Sequence, residues 1–172
     1  MHLFVKYSAL TLLIMSAGYN VARADPVSIN ITGRVVASPC VVNNNNNNLN
    51  VDLGQTIQAN TLATAGAGTP PTPFNLSLTN CPVGTSNVTV TFNGTAAAAP
   101  QNNMYRNNGV ADPLAVELSS GSTILGNNSA LTLAVQTDRT VTYALSARAV
   151  TATGSVMPGS IIAVVQANFT YN

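Results

Sequence analysis

The chain has 172 residues, with six Lys and Arg, five Asp and Glu, one histidine and no tryptophan, giving a formal net charge of +1 at pH 7. So sparse a charge excludes the basic footprint of a nucleic-acid or anionic-lipid binder. The length corresponds to one domain with a real core.

Residues 1–24 form a secretory signal. Met1-His2-Leu3-Phe4-Val5-Lys6 is a short positive region, residues 7–18 are largely apolar, and Ala22-Arg23-Ala24 supplies a small-x-small cleavage pattern. The apolar run is shorter than the roughly 20 residues a membrane-spanning helix requires. Cleavage before Asp25 removes His2 and Lys6, the only histidine and the only lysine. Arg34, Arg106, Arg139 and Arg148 then face Asp25, Asp52, Asp112, Glu117 and Asp138. Without a histidine no Ser-His-Asp or Cys-His site can be assembled, so no enzyme is expected.

The exported part opens on an alternating arm, Val27-Ser28-Ile29-Asn30-Ile31-Thr32-Gly33-Arg34-Val35, whose Val27, Ile29, Ile31, Gly33 and Val35 share one face. Cys40 and Cys81 follow. A pair of cysteines in an exported chain reads as one disulfide, and closing a loop of about 40 residues is worth roughly 4 kcal/mol in the chain-entropy model. Zinc or thiol redox chemistry is disfavoured, because there is no C-x-x-C pair and no histidine to complete a ligand set.

Six consecutive asparagines at 43–48 have no apolar face and are expected as a surface loop. Residues 49–53 then alternate as a strand. The glycine-rich stretch 64–69 lacks the lysine, strand and helix of a nucleotide site. Period-two patterning marks further strands at 72–78, 87–92, 114–118, 131–135, 140–149 and 161–171, cut by Gly, Pro and Asn. This spacing predicts an antiparallel sandwich. Only residues 96–99 favour helix, and Pro100 stops them. Asp112 with Glu117, and Asp138 with Arg139, read as solvated turn and strand-edge charges.

The last strand carries Ile161, Ala163, Val165, Ala167, Phe169 and Tyr171 on one face and Ile162 and Val164 on the other. The set containing Phe169 is expected to face the core. Its apolar face continues to the terminus, so another chain is expected to cover it.

The arm with its central Gly33, the blocks Val35-Val36-Ala37-Ser38-Pro39-Cys40, Val51-Asp52-Leu53-Gly54 and Leu78-Thr79-Asn80-Cys81-Pro82, the penultimate Tyr171, and Gly159 fourteenth from the end occur together and in order. In these the chain resembles the subunits of chaperone-usher fimbriae of the type 1 pilin family. Asn80-Cys81-Pro82-Val83-Gly84-Thr85-Ser86 and Tyr105-Arg106-Asn107-Asn108-Gly109 are most similar to its minor tip-adaptor (G-type) branch. The asparagine tract departs from the pattern, within a loop.

The resemblance implies an all-β fold: an incomplete immunoglobulin-like antiparallel sandwich that lacks its last strand and carries an N-terminal donor-strand arm. The signal would be 1–24, the arm 25–37 and the pilin domain 38–172. Val27, Ile29, Ile31, Gly33 and Val35 would be the donor strand. Gly159, Ile161, Val165, Phe169 and Tyr171 would form the acceptor groove and chaperone-binding strand. The partners implied are a periplasmic chaperone, an outer-membrane usher and neighbouring subunits, with no cofactor, nucleic acid or small-molecule substrate. The chain would pass through the periplasm to a surface fimbrium. A major shaft pilin, or less favourably a secreted carbohydrate-binding module, is the alternative.

Overall fold

A computed structural model of the chain describes residues 28–35 and 38–172. The signal segment, Asp25, Val27, Val36 and Ala37 lie outside the described residues. The chain divides into two units, 1–35 and 36–172. In the first, residues 28–35 carry no regular strand, and Ile29, Ile31 and Val35 are 80%, 91% and 100% exposed.

The second unit is built from antiparallel strands: β1 (Val41–Val42), β2 (Thr72–Thr79), β3 (Asn87–Gly94), β4 (Tyr105–Arg106), β5 (Ala115–Ser120), β6 (Thr123–Ile124), β7 (Ser129–Ala134), β8 (Val141–Val150) and β9 (Val165–Tyr171). One sheet has the order β1-β2-β8-β5-β4, with β6 on β5; the other has the order β7-β3-β9. The period-two pattern explains the layering, because alternate residues point to opposite faces of a sheet. Leu76 and Leu78 on β2, Val116 and Leu118 on β5, and Val141, Tyr143 and Leu145 on β8 meet Val88, Val90 and Phe92 on β3 in one core. Tyr143 spans the layers: its hydroxyl donates to the Val88 carbonyl across 2.7 Å.

The Cys40–Cys81 disulfide joins the segment before β1 to the residues after β2. Both cysteines are buried. The asparagine tract has more structure than a plain connection. Asn43, Asn44 and Asn45 take φ of 42°, 54° and 67°, a left-handed region that asparagine tolerates better than most residues. The Asn43 side chain accepts the Ser77 N–H at 3.1 Å, pinning the turn to β2.

Three expectations need correction. Residues 49–53 form no strand: Val51 and Leu53 keep the inward alternation, but no described strand pairs with them. The last strand begins at Val165, not Ile161, since its ladder with β3 ends at the Gly94↔Val165 pair. As the stop at Pro100 implies, residues 96–99 form no helix, and Ala96 bridges to Tyr105. Glu117 is not a solvated charge. It is 5% exposed and lies opposite Arg148 on neighbouring strands, which receive and supply two bonds of 2.8 and 2.9 Å. The hydrogen bond to Glu117 raises the Arg148 guanidinium above its ordinary value. Sequence spacing suggested Asp112 as the neighbour of Glu117; the sheet chose Arg148, 31 residues away.

Tyr105 and Tyr143 are both fully buried, and burial pushes each phenol up to about 12, with the Tyr171 charge adding to the effect at Tyr143. The folded chain thus retains protons that the unfolded chain releases near pH 10. Stability should therefore be intact below pH 10 and fall as pH rises toward 12, as read by urea unfolding. Tyr143→Phe should cost about 1 kcal/mol through loss of the Val88 bond. Tyr105→Phe should be neutral or stabilising and blunt the alkaline loss, because the Tyr105 hydroxyl is buried without a partner.

Candidate acceptor groove

β9 is paired on one edge only. Its ladder with β3 runs from Val88↔Tyr171 to Gly94↔Val165, and among the described residues no strand lies along its other edge. Asn87 and Asn172 exchange both backbone bonds, each 3.0 Å long. In an antiparallel ladder such reciprocal pairs alternate with pairs whose N–H and C=O groups point away. Gln166, Asn168 and Thr170 are therefore bonded to β3, while Val165, Ala167, Phe169 and Tyr171 direct their backbone groups to the open edge.

The same four residues face the core. Along β9 the half-buried positions are Val165, Ala167, Phe169 and Tyr171, and the exposed ones are Gln166, Asn168 and Thr170. The Phe169 set is thus the inward face, and its residues pack against the core without being enclosed by it. Val42, Leu53 and Phe74 are partly buried against the same core. Unpaired backbone groups and incompletely covered apolar side chains coincide along one line, which is the description of a sandwich short of a strand.

The two ends of this line differ. At the C-terminal end, burial raises the Tyr171 phenol above its ordinary value, an effect that the nearby Cys40 backbone partly offsets. At the other end, Gly159 and Ile161 line a pocket of about 320 Å³ with Ile57, Leu62, Ala111 and Leu114. Gly159 does not take a positive φ. It is required by proximity instead: a Cβ there would lie 2.6 Å from the Ala111 nitrogen and 2.6 Å from Val110 Cγ2.

The structure thus brings Gly159, Ile161, Val165, Phe169 and Tyr171 onto one path. Ile29, Ile31, Gly33 and Val35 lie in the other unit, and Val27 is outside the described residues. Val42, Leu53 and Phe74, which sequence reasoning left out of the site, are half-buried against the same core, as are Leu131, Leu133 and Val135. Their apolar alternation was visible, but no local signal distinguishes a groove-facing position from ordinary core. Among the described residues no cluster of His, Cys, Asp or Glu could hold a metal ion. Burial of Tyr105 and Tyr143 removes the two tyrosines that a sugar-binding platform would have needed.

Gly159→Ala should force apart two backbone segments that touch, costing about 1–3 kcal/mol as an overpacking change. The expected readout is a lower urea midpoint and a smaller yield of folded chain; an unchanged midpoint would show that the contact relaxes freely.

Residues 29–172 match the model of the family described as Fimbrial protein. The chain is similar to Protein FimG of Escherichia coli (strain K12), with 38% identity over 168 residues and 95% of each chain covered. It is also similar to the S-fimbrial adhesin protein SfaS of Escherichia coli O6:K15:H31 (strain 536 / UPEC), with 35% identity over 153 residues, 87% of this chain and 88% of that one. Among solved structures, the P pilus rod subunit PapA superposes with a TM-score of 0.62 at 20% identity, covering 78% of this chain and all of that one. A chaperone-usher pilus structure superposes with a TM-score of 0.65 at 19% identity, covering 87% and 98%. The fold with an open β9 edge and the match across residues 29–172 lead to one conclusion: the chain belongs to the fimbrial protein family.

Proposed function

We propose that the chain is a minor, tip-adaptor-type subunit of a chaperone-usher fimbria, whose β9 edge accepts a strand from another protein and whose arm donates one in turn. The observation that carries this reading is the coincidence of open backbone groups and half-covered apolar side chains at Val165, Ala167, Phe169 and Tyr171. An added strand would satisfy both at once, with main-chain bonds providing affinity and alternate side chains fixing register; chaperone–pilin complementation is itself a standing example of such strand addition.

As a fimbrial subunit the chain is exported to the cell surface and assembles with a periplasmic chaperone, an outer-membrane usher and neighbouring subunits. In the periplasm the chaperone lends the missing strand. At the usher the arm of the next subunit replaces it. The arm, 25–37, suits this role because Ile29, Ile31 and Val35 are exposed and share a face with Val27 and Gly33. Burying three or four such side chains at about 1.5–3 kcal/mol each gives a gross gain on the order of 5–10 kcal/mol before ordering costs. A Cβ at Gly33 would meet nothing in the free arm, so its value lies in close backbone approach once a groove surrounds it. The adaptor assignment over a major shaft pilin is supported by the 80–86 and 105–109 blocks and by the similarity to FimG along almost the whole chain.

Deleting residues 27–35 should leave a chaperone-bound subunit that is absent from fibres. On a denaturing gel of sheared surface material, the unboiled wild type should appear in SDS-resistant oligomers that collapse on boiling, and the deletion should not. Ile31→Asp should act alike by burying an unpaired charge. Oligomers of normal intensity from the deletion would overturn the donor role of the arm.

A further inference from the structure

The stretch 157–162, which leads into β9, is not held by β3. It is stitched to 107–112: Met157 N–H donates to the Asp112 carbonyl at 2.8 Å, Ala111 N–H to Ser160 at 3.1 Å, and Asn108 N–H to Ile162 at 2.7 Å. At the centre of this seam is the half-buried side chain of Asn107. Its Nδ2 donates to the carbonyls of Ala111 (2.7 Å) and Ser160 (3.3 Å). Its Oδ1 accepts from the N–H groups of Gly109 (2.9 Å) and Ile162 (2.8 Å). These bonds use the full capacity of a side-chain amide, and two carbonyls on one side with two N–H groups on the other admit a single orientation.

We propose that Asn107 is a positioning residue for strand acceptance, fixing the backbone of 159–162 so that the pocket beside Gly159 and Ile161 continues the line of β9. The inference rests on the acceptor-groove reading above. It assigns Asn107 to one end of the groove. A strand added antiparallel to β9, as neighbours in an antiparallel sandwich run, brings its C-terminal end to the start of β9. In this chain's own arm that is the Val35 end, whereas Ile29 falls toward Tyr171.

The test uses the full exported chain purified as its chaperone complex, and follows displacement of the chaperone by a synthetic peptide of residues 25–37. Asn107→Asp keeps the side-chain shape but loses both donors and turns a carboxylate oxygen toward two carbonyls. Displacement by the unaltered peptide should slow about tenfold. The penalty should shrink to about twofold against a Val35→Ala peptide and stay about tenfold against an Ile29→Ala peptide, the signature of coupling between Asn107 and one end of the strand. Equal penalties against all three peptides would mean a general loss of structure and overturn the proposal, as would no penalty at all. Asn107→Ala is run in parallel to remove the bridge without adding charge. If neither variant is recovered with chaperone while the wild type is, Asn107 serves the fold as a whole and the proposal fails. If the wild type takes up none of the peptides, the groove does not accept this chain's own arm and this inference fails, whereas failure of the acceptor-groove reading would show as wild-type chain absent from SDS-resistant oligomers.

Discussion

The structure depends on a ladder bonded along one edge only. β9 satisfies half of its backbone groups through β3 and leaves the other half pointing into the gap where a further strand would lie. Because the period of side chains and the period of backbone bonding in an antiparallel strand are both two, the residues with open backbone groups are also those turned toward the core. Neither deficit alone makes a binding site. Unpaired edges are common and usually masked, and half-buried valines are ordinary. Their alignment over Val165, Ala167, Phe169 and Tyr171 makes strand addition the one event that repairs both.

A sandwich short of a strand must hold itself together elsewhere. The Cys40–Cys81 bond ties the start of the domain to the end of β2. The Tyr143 hydroxyl links β8 in one sheet to β3 in the other. The two-bond Glu117–Arg148 pair locks β5 to β8, with Glu117 buried and Arg148 partly exposed. This pair belongs to the sheet that does not contain β9, so it stabilises the frame without filling the gap. The seam between 107–112 and 157–162 fixes the approach to β9, where no ladder reaches.

The strand cores were legible because alternation is a local property: 72–78 and 87–92 reappear within β2 and β3, and 140–149 reappears as β8, shifted by one residue. Residues 49–53 and 161–164 carry the same alternation without being strands, since a strand requires a partner edge and the sequence does not state where edges fall. β4 and β6 are two residues each and too short for any periodicity. Glu117 was misread because its partner lies 31 residues away and only the β5–β8 register brings them together. The importance of Gly159 was legible by resemblance, but its reason was not: the close approach of Val110 and Ala111 is a tertiary contact.

By itself the sequence determined the class of fold, the exported and oxidised setting, and the two faces of the last strand, because each follows from composition, a local motif or a period of two. Only the tertiary structure decided which face of that strand is the inner one, that no described strand pairs with its outer edge, and that Asn107 anchors its approach. Those facts are set by sheet order, register and packing between segments some 50 residues apart, such as Asn107 and Ser160, and no local pattern encodes them.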